Sequence, residues 1–362
     1  MQIVGGHLSH LQEHGVRGQV RCVILGNAEE HHVGHHLLTA AEALDWDVRL
    51  IDQRRAWSNR RFLDSLCYHL TGKRPPRLGR LGGEILEACT AHRAEFLVAT
   101  GIAPLTRKVL RALRSMGVMT ACYLTDDPWN PANAARFFWS SLPEYDLIAT
   151  PRQANKADLV GHGCRHVEYV PFGYNPLQHF IEPEASAEES RRFVCDVGIV
   201  GGADADRISL ARELAAAGFT LGLYGGYWDR CPDLRAFCRG HVHGRDLRLA
   251  VRLAGCQVCM VRRANRDGHA MRSFEFPAMG AVPVLEDTPE HRSIFRGPGF
   301  EPAFWHDTQT LVTACKRMLQ DREAATEVGA TASRAVREGN HTYSARLLTL
   351  REALLATRGS HN

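Results

Sequence analysis

Apolar runs alternate with amphipathic segments along almost the whole chain. In the first half, apolar runs of strand length occur at Val20–Leu25, Val48–Ile51, Phe96–Thr100, Met119–Leu124, Leu147–Thr150 and Val167–Val170. Apolar residues at helical spacing lie between them, in Leu37–Leu44, Phe62–Leu70, Pro104–Met116 and Ala132–Ser141. Strands that are apolar throughout and alternate with helices predict a parallel sheet covered on both faces.

A second series of the same kind follows a charged segment, Ile181–Arg192, which is predicted to be a linker. Its predicted strands are Val194–Val200, Thr220–Tyr224, Gln257–Val261 and Val282–Leu285, and its predicted helices are Arg207–Ala217, Leu247–Ala254 and Arg272–Met279. Helical patterns dominate from Thr308 onward. The sequence therefore predicts two doubly wound, Rossmann-like α/β domains and a helical tail. Ligands are expected in the cleft between the domains, at the carboxyl ends of the strands.

Length and composition agree with a two-domain globular protein. The chain has 362 residues, of which 44% are hydrophobic. No apolar stretch reaches the roughly 20 residues of a membrane span, and residues 1–18 lack the apolar core of a signal peptide. The eleven cysteines, several of them within apolar strand runs, suit reduced thiols. We therefore expect a cytoplasmic protein.

Charge is distributed unevenly, although the net charge of +4 is too small to indicate a nucleic-acid partner. The segment Arg54–Arg80 is rich in basic residues and has Asp64 as its acidic residue. Its cations are Arg54, Arg55, Arg60, Arg61, Lys73, Arg74, Arg77 and Arg80. Two interpretations stay open: a solvated surface, or a patch that contacts an anionic acceptor or an acidic membrane surface.

Glycine-rich turns follow the first strand of each half, but neither has the dinucleotide-binding spacing G-x-G-x-x-G. Gly26-Asn27-Ala28-Glu29 follows the first strand, and Gly201-Gly202-Ala203-Asp204 follows the strand ending at Val200. A nicotinamide-dependent dehydrogenase is therefore disfavoured.

The most informative segment runs from Asp267 to Glu286. A loop with Asp267 and Gly268 leads into a short helix that carries Glu275 and ends at Gly280. The free N–H groups of a helix N-terminus favour a diphosphate, and a glycine lets the backbone approach a ligand closely. A glutamate two turns further on can accept hydrogen bonds from two ribose hydroxyls.

This segment resembles the group 1 glycosyltransferases of the GT-B fold, and within them the CgeB-like (spore maturation protein) family. In those proteins one acid precedes a second acid by eight positions, as Asp267 precedes Glu275, although the first acid there is usually Glu. Further motifs that resemble the CgeB-like family occur in order, at Tyr123–Pro128, Tyr145–Ile148, Tyr169–Gly173, Asp196–Gly201, Arg207, Leu223–Trp228 and His341–Arg346.

The resemblance implies a GT-B fold of two Rossmann-like domains. Residues 1–175 are then the acceptor-side domain, residues 176–335 the donor domain, and residues 336–362 a helix that packs back on the first domain. The implied reaction moves a sugar from a UDP-, GDP- or dTDP-linked donor to an acceptor hydroxyl, without cofactor or metal and with retention of configuration. The alternatives are a non-hydrolysing nucleotide-sugar 2-epimerase and a non-catalytic nucleotide-sugar-binding protein.

The predicted donor contacts lie in the second half. They are Gly201, Gly202, Arg207, Tyr224, Asp267, Gly268, His269, Arg272, Ser273, Phe274 and Glu275. Arg207 follows the glycine turn and opens a helix, where a guanidinium can bind a phosphate through two hydrogen bonds. Arg272 lies three residues before Glu275 on the same helical face, so it either pairs with that glutamate or reaches the diphosphate.

In the first half, the histidines at positions 31, 32, 35 and 36 follow the first strand. The pairs His31/His35 and His32/His36 have a spacing that could hold a metal. The favoured interpretation is that these histidines line the cleft, with His31 and His35 binding the acceptor and His32 available as a base.

Asp126 and Asp127 end an apolar strand just before Pro128, and Trp129 offers a flat face for a sugar ring. Carboxylates at that end of a strand suit acceptor binding or base catalysis. A cap on the following turn is the rival interpretation.

Overall fold

The computed structural model describes residues 19–58, 60–266 and 268–359. The strands of the first half are β1 (Arg21–Gly26), β2 (Asp47–Asp52), β3 (Phe96–Thr100), β4 (Met119–Tyr123), β5 (Leu147–Thr150) and β6 (Val167–Tyr169). They form one parallel sheet in the order β2-β1-β3-β4-β5-β6. Its helices are α1 (Val33–Ala43), α2 (Arg61–Leu70), α3 (Leu78–Ala91), α4 (Arg107–Ser115), α5 (Arg136–Trp139) and α6 (Gln153–Gly161).

The second half forms a second parallel sheet. Its strands are β7 (Cys195–Val200), β8 (Leu221–Tyr224), β9 (Ala254–Cys259), β10 (Pro283–Glu286) and β11 (Phe304–Trp305), in the order β11-β10-β9-β7-β8. Its helices are α7 (Ala187–Phe193), α8 (Ala205–Ala216), α9 (Gly244–Arg252), α10 (Arg272–Ala278), α11 (Pro289–Ile294), α12 (Thr308–Gln320) and α13 (Arg322–Glu338). The predicted fold class, two parallel sheets with helices on their faces, is confirmed.

The last helix, α14 (Tyr343–Gly359), returns to the first half and packs on α1, β4 and β5. A parallel β-bridge between Tyr174 and Thr342 holds the start of this crossing. The predicted tail of residues 336–362 therefore begins inside α13, and α14 is the part that packs on the first half.

The prediction of a linker at Ile181–Arg192 was wrong in part, because helix α7 begins at Ala187. The Ser186 hydroxyl accepts the N–H of Glu189, and the Glu189 carboxylate accepts the N–H of Ser186, which stabilises the helix start. Glu182 is buried and binds Arg245 and Arg248 of α9. The segment is thus packed against the second half.

The predicted helix Ala132–Ser141 is helical only over the four residues of α5. Asn130 explains the difference, because its side chain accepts the N–H of Ala132 and its carbonyl accepts the N–H groups of Asn133 and Ala134. These turn hydrogen bonds compete with a helix. The helices α3 and α6 and the short strand β11 were not predicted.

The cysteines are free thiols, most of them buried. Among the described residues, no helix has both the length and the apolar character required to span a bilayer.

Candidate functional site

A cleft of about 710 Å³ lies where the carboxyl ends of the two sheets meet. One wall follows β1, β3, β4, β5 and β6, and includes His31, His32, Thr100, Thr125, Asp126, Arg152 and Phe172. The other wall follows β7 and β9, and includes Gly201, Gly202, Asp204, Arg207, Arg262, His269, Met271 and Arg272. This is the ligand position expected for a pair of doubly wound domains.

Three guanidinium groups converge on the second wall, those of Arg207, Arg262 and Arg272. Arg207 lies in the first turn of α8 and donates to the Gly202 carbonyl at 3.1 Å and to the Asp204 carboxylate at 2.6 Å. Burial lowers the pKa of Arg207; Asp204 raises it, and the charges of Arg262 and Arg272 lower it again. A negatively charged ligand would relieve this repulsion.

Gly201 allows Arg207 to lie over the turn after β7. Its φ is 155°, and a Cβ at this position would lie 2.9 Å from the guanidinium carbon of Arg207. Gly201 and Gly202 both line the cleft, and their contact with a donor stays a prediction.

Glu275 is buried beside the cleft, with 1% of its surface exposed. One carboxylate oxygen accepts a hydrogen bond from Arg272, and the other lies 3.9 Å from His36 Nε2 and 3.8 Å from His179 Nε2. Burial raises the pKa of Glu275, but Arg272, His179 and His36 together bring it below its ordinary value. Glu275 is therefore an ionised acceptor.

A small cavity of about 50 Å³ opens beside this carboxylate, lined by Glu275, Arg272, His179, His31, His243 and Gly244 among others. Arg272 lines both this cavity and the large cleft. It pairs with Glu275, the first of the two predicted alternatives, while it borders the space in which a diphosphate would lie.

His36, His179 and Glu275 are close enough for a shared metal ion, since their ligand atoms lie within 4.8 Å of one another. However, His179 Nδ1 accepts the N–H of Asn175 at 3.0 Å. A neutral imidazole that accepts at Nδ1 carries its proton on Nε2, the nitrogen that faces Glu275. A metal ligand needs a lone pair at that atom, so the cluster does not fit a metal.

A second group of Glu29, His31 and His32 lies at the cleft rim. Nε2 of His31 and Nε2 of His32 lie 3.6 and 3.5 Å from one Glu29 oxygen, and all three side chains are 44–45% exposed. Burial lowers the pKa of both histidines, although Glu29 opposes the effect. Among the described residues, no group of three or more possible metal ligands contains both members of the predicted pairs His31/His35 or His32/His36.

His269 lies fully buried between the two halves and borders the cleft. Its Nε2 accepts the N–H of Phe172 at 3.0 Å, and its carbonyl accepts from Arg152 at 2.8 Å. Gly268 has a φ of 101°, and a Cβ there would lie 2.6 Å from Arg152 Nη1. The positive φ favours glycine at this position, and the predicted approach of its backbone to a ligand stays a prediction.

Asp126 lines the cleft and accepts a hydrogen bond from the Thr125 hydroxyl at 3.1 Å. Asp127 does not line the cleft. It is 2% exposed, pairs with Arg266 at 2.7 Å and accepts the N–H of Trp129 at 3.0 Å. The prediction of Asp127 as a catalytic group was therefore wrong, because both of its oxygens hold the turn and the contact between the halves.

Three predicted donor contacts are core residues. Tyr224 is fully buried, with its hydroxyl 3.3 Å from Arg239. Ser273 is fully buried, and its hydroxyl lies 2.7 Å from His291 Nε2. Phe274 is fully buried as well. The structure therefore places these three side chains in the core, on the inward face of a strand or helix, and their contact with a donor stays a prediction.

Two predicted acceptor contacts also lie outside the cleft walls. Trp129 is half-buried and packs edge-on against His162, with ring centroids 6.4 Å apart. His35 is half-buried on α1. His31 and His32 do line the cleft. Asp267, the first predicted acid, lies outside the described residues.

Several cleft residues were not predicted, notably Arg152, Phe172 and Asn265. Arg152 follows strand β5 as Asp126 follows β4, so its position after a strand would have indicated it. Asn265 accepts the N–H of Asp127 across 138 positions of sequence. No local pattern predicts such a contact.

Several cations of the basic segment Arg54–Arg80 are paired with other groups of the protein. Arg54 pairs with Asp52 and Glu29, and Lys73 donates to the carbonyls of Pro131 and Ala132. Arg55 and Arg80 both pair with Glu84. These contacts reduce the charge that an anionic surface would meet.

Comparisons with known proteins agree with this geometry. Residues 207–352 match a family model described as glycosyl transferase-like. A search of the curated proteins found no match. Among solved structures, sucrose-phosphate synthase from Thermosynechococcus elongatus superposes with a TM-score of 0.67 at 12% identity, covering 94% of this chain and 100% of that chain.

Two further solved structures are similar. A structure described as trehalose-6-phosphate from E. coli bound with UDP-2-fluoro glucose has a TM-score of 0.61 at 11% identity and covers 92% of this chain and 98% of that chain. A candidate UDP-N-acetylglucosamine 2-epimerase from Listeria monocytogenes has a TM-score of 0.55 at 12% identity, with 92% and 95% covered. The chain thus has the GT-B fold, and the family-model match over residues 207–352 supports a glycosyltransferase enzyme.

Proposed function

We propose that the protein transfers a sugar from a nucleotide diphosphate sugar to an acceptor hydroxyl, with retention of configuration and without a metal ion. The observation that carries this proposal is that Arg207, Arg262 and Arg272 share one wall of the cleft, while Arg272 also pairs with Glu275 in the small cavity beside it. Guanidinium groups suit a diphosphate, and an ionised, buried carboxylate suits two ribose hydroxyls.

The diphosphate would lie between the first turn of α8 and the three arginines, where the helix dipole adds to their charge. Arg272 borders both cavities, so a nucleoside attached to that diphosphate would place its ribose at Glu275. The base would then enter the small cavity beside His243 and Gly244. The sugar would face Asp126 on the opposite wall.

In the proposed reaction, the bond from the anomeric carbon to the diphosphate breaks and a bond to the acceptor oxygen forms. The acceptor proton passes to the leaving diphosphate. The arginines stabilise the charge that develops on this group, which is the main electrostatic contribution expected from the protein. Asp126 orients the acceptor by accepting a hydrogen bond from a hydroxyl group other than the one that reacts.

A thermal-shift screen with UDP, GDP, dTDP and their sugar conjugates tests the donor class. A ligand at about a hundred times its Kd should stabilise the protein by about 2.7 kcal/mol. The absence of a shift with every nucleotide would refute the proposal.

The nucleotide sugar that raises the melting temperature is then incubated with the protein without an acceptor. Analysis of the products distinguishes sugar transfer from epimerisation. A 2-epimer formed without acceptor would favour the epimerase, and donor binding without turnover of any acceptor would favour a binding protein. Activity that is unchanged by EDTA is expected, because the proton on His179 Nε2 leaves the buried cluster without a suitable ligand set. Activity lost to EDTA and restored by a divalent ion would contradict metal independence.

Membership of the CgeB-like branch is a further proposal, supported by the ordered motifs from Tyr123–Pro128 to His341–Arg346. One of these motifs has a specific place in the site. Arg346 donates to the carbonyl of Phe172, whose N–H donates to His269. The motif thus supports a residue that borders the cleft.

A further inference from the structure

A second cavity, of about 270 Å³, adjoins the cleft on the first half. Gln53 and Ile102, which follow β2 and β3, line both spaces. The cavity therefore lies directly beside the cleft, with these two side chains at the boundary. Since the donor-binding groups lie on the second half, the cavity is on the acceptor side.

The cavity walls are largely apolar and aromatic. Trp57, Tyr68 and Phe137 contribute their rings, together with Pro75 and Pro104. The ring centroids of Trp57 and Tyr68 are 6.3 Å apart at an angle of 40°, so two aromatic walls meet there. Flat aromatic walls favour a ligand with a planar apolar ring.

The charged and polar side chains of the cavity are mostly engaged by the protein. Arg54 pairs with Asp52 and Glu29, which balances its charge. Lys73 Nζ donates to two backbone carbonyls, and Asn133 donates to the carbonyl of Asp127. An anionic ligand gains little from cations already bound, and a free sugar ring would find few of the hydrogen-bond partners that it needs.

Gln53 is the exception, at the junction of the two spaces. Its side-chain oxygen is buried and has no hydrogen-bond partner among the described residues. A buried amide oxygen without a partner is costly. A hydroxyl group of a bound acceptor would satisfy it.

We propose that the acceptor carries a neutral aromatic ring, which lies in this cavity against Trp57 and Phe137, while an attached hydroxyl is held by Gln53 at the edge of the cleft. This inference rests on the proposed sugar transfer and names its acceptor class. Sugar transfer would form a bond between the anomeric carbon and the oxygen of a second acceptor hydroxyl, which reaches into the cleft, with the nucleoside diphosphate leaving and its phosphate taking the proton of that second hydroxyl.

The test is calorimetric binding of 2-naphthol to the full chain, without donor, with methyl glucoside as the polar comparison. UDP is titrated separately into the same samples. We expect saturable binding of one 2-naphthol and a higher Kd for methyl glucoside. Trp57→Ala should raise the 2-naphthol Kd about tenfold, and Trp57→Phe should raise it less.

Leu70→Ala is the matched control, because it removes an apolar side chain that is 74% exposed and lies outside the cavity. Its 2-naphthol Kd should equal that of the wild type, and all variants should keep the wild-type UDP affinity. Phe137→Ala provides a second test if Trp57→Ala does not fold.

Two outcomes would overturn the inference: 2-naphthol affinity that is the same in wild type, Trp57→Ala and Phe137→Ala, or tighter binding of methyl glucoside than of 2-naphthol. Both leave the donor proposal untouched, since UDP binding is measured separately. Conversely, 2-naphthol binding with no nucleotide binding would refute the donor proposal alone.

Discussion

Asp126 and Asp127 are adjacent carboxylates, yet the same substitution should affect them in opposite ways. Asp126 faces the cleft, and its side chain accepts a hydrogen bond from the neighbouring Thr125 hydroxyl. Asp127 faces inward and holds Arg266 and the turn at Trp129. Asp→Asn keeps the size of the side chain and removes its charge, so it separates a functional charge from a structural one.

Asp127→Asn should lower stability. Breaking a buried ion pair costs roughly 3–5 kcal/mol. Here the Arg266 side chain is 44% exposed, and it keeps Asp158 at 2.7 Å and Asn155 at 3.0 Å. Solvent screening and these remaining partners reduce the expected loss to about 1–2 kcal/mol. For domains of roughly 150–250 residues, the melting temperature should then fall by roughly 2–8 °C.

Asp126→Asn should leave the melting temperature within about 1 °C of the wild type, because its carboxylate holds no distant part of the fold. The acceptor hydroxyl would lose a hydrogen bond to a charged group, worth roughly 1.5–3 kcal/mol. The expected decrease in kcat/KM for the acceptor is therefore about 10–100-fold. The Kd of the nucleotide, measured by calorimetry, should not change.

Scanning calorimetry and steady-state transfer assays on both variants check this pair of expectations. Asp127→Asn should retain most of its activity below its melting temperature. The reasoning is refuted if Asp126→Asn unfolds earlier than Asp127→Asn, or if Asp127→Asn is the variant that loses turnover while it stays folded.

Arg207→Ala should raise the Kd of UDP about tenfold, which corresponds to the loss of one charge-assisted hydrogen bond. Arg212→Ala is the control and should leave this Kd unchanged, because Arg212 lies on the same helix but pairs with Asp233 outside the cleft. Equal effects of the two substitutions would show that Arg207 is not part of the donor site. Glu275→Gln should weaken the binding of UDP by a similar factor and leave the binding of inorganic diphosphate unchanged. A competition assay would measure both affinities. Burial lowers the pKa of His36 to about 3 and of His291 to about 4. The unfolded chain therefore takes up protons first, and stability should fall from pH 6.5 towards pH 4 by up to roughly 1.4 kcal/mol per histidine per pH unit. A melting temperature that does not change between pH 6.5 and pH 4 would contradict this expected loss of stability.

The fold could be predicted because each strand carries its own apolar pattern. Phe96–Thr100 and Leu147–Thr150 were predicted with the bounds that the structure has. Local periodicity does not depend on distant partners. Helices α3 and α6 were missed, and α5 was shortened by the turn hydrogen bonds of Asn130.

The site was predicted in part, for a related reason. Arg207 and Asp126 follow strands, and the end of a parallel strand is enough to place them at the cleft. Whether a side chain beyond that point faces the cleft or the core depends on residues from elsewhere. Asp127 is turned inward by Arg266, which lies 139 positions away. Tyr224 is drawn into the core beside Phe193.

Residues that border the cleft also form contacts between the two halves, and the last helix supports one of them. Arg346 of α14 donates twice to the carbonyl of Phe172, at 3.1 and 3.0 Å. The N–H of Phe172 then fixes Nε2 of His269 as an acceptor. His269 consequently carries its proton on Nδ1, an atom without a hydrogen-bond partner among the described residues. Arg346 of α14, which packs on one half, thus holds the backbone group that fixes the tautomer of a buried histidine from the other half.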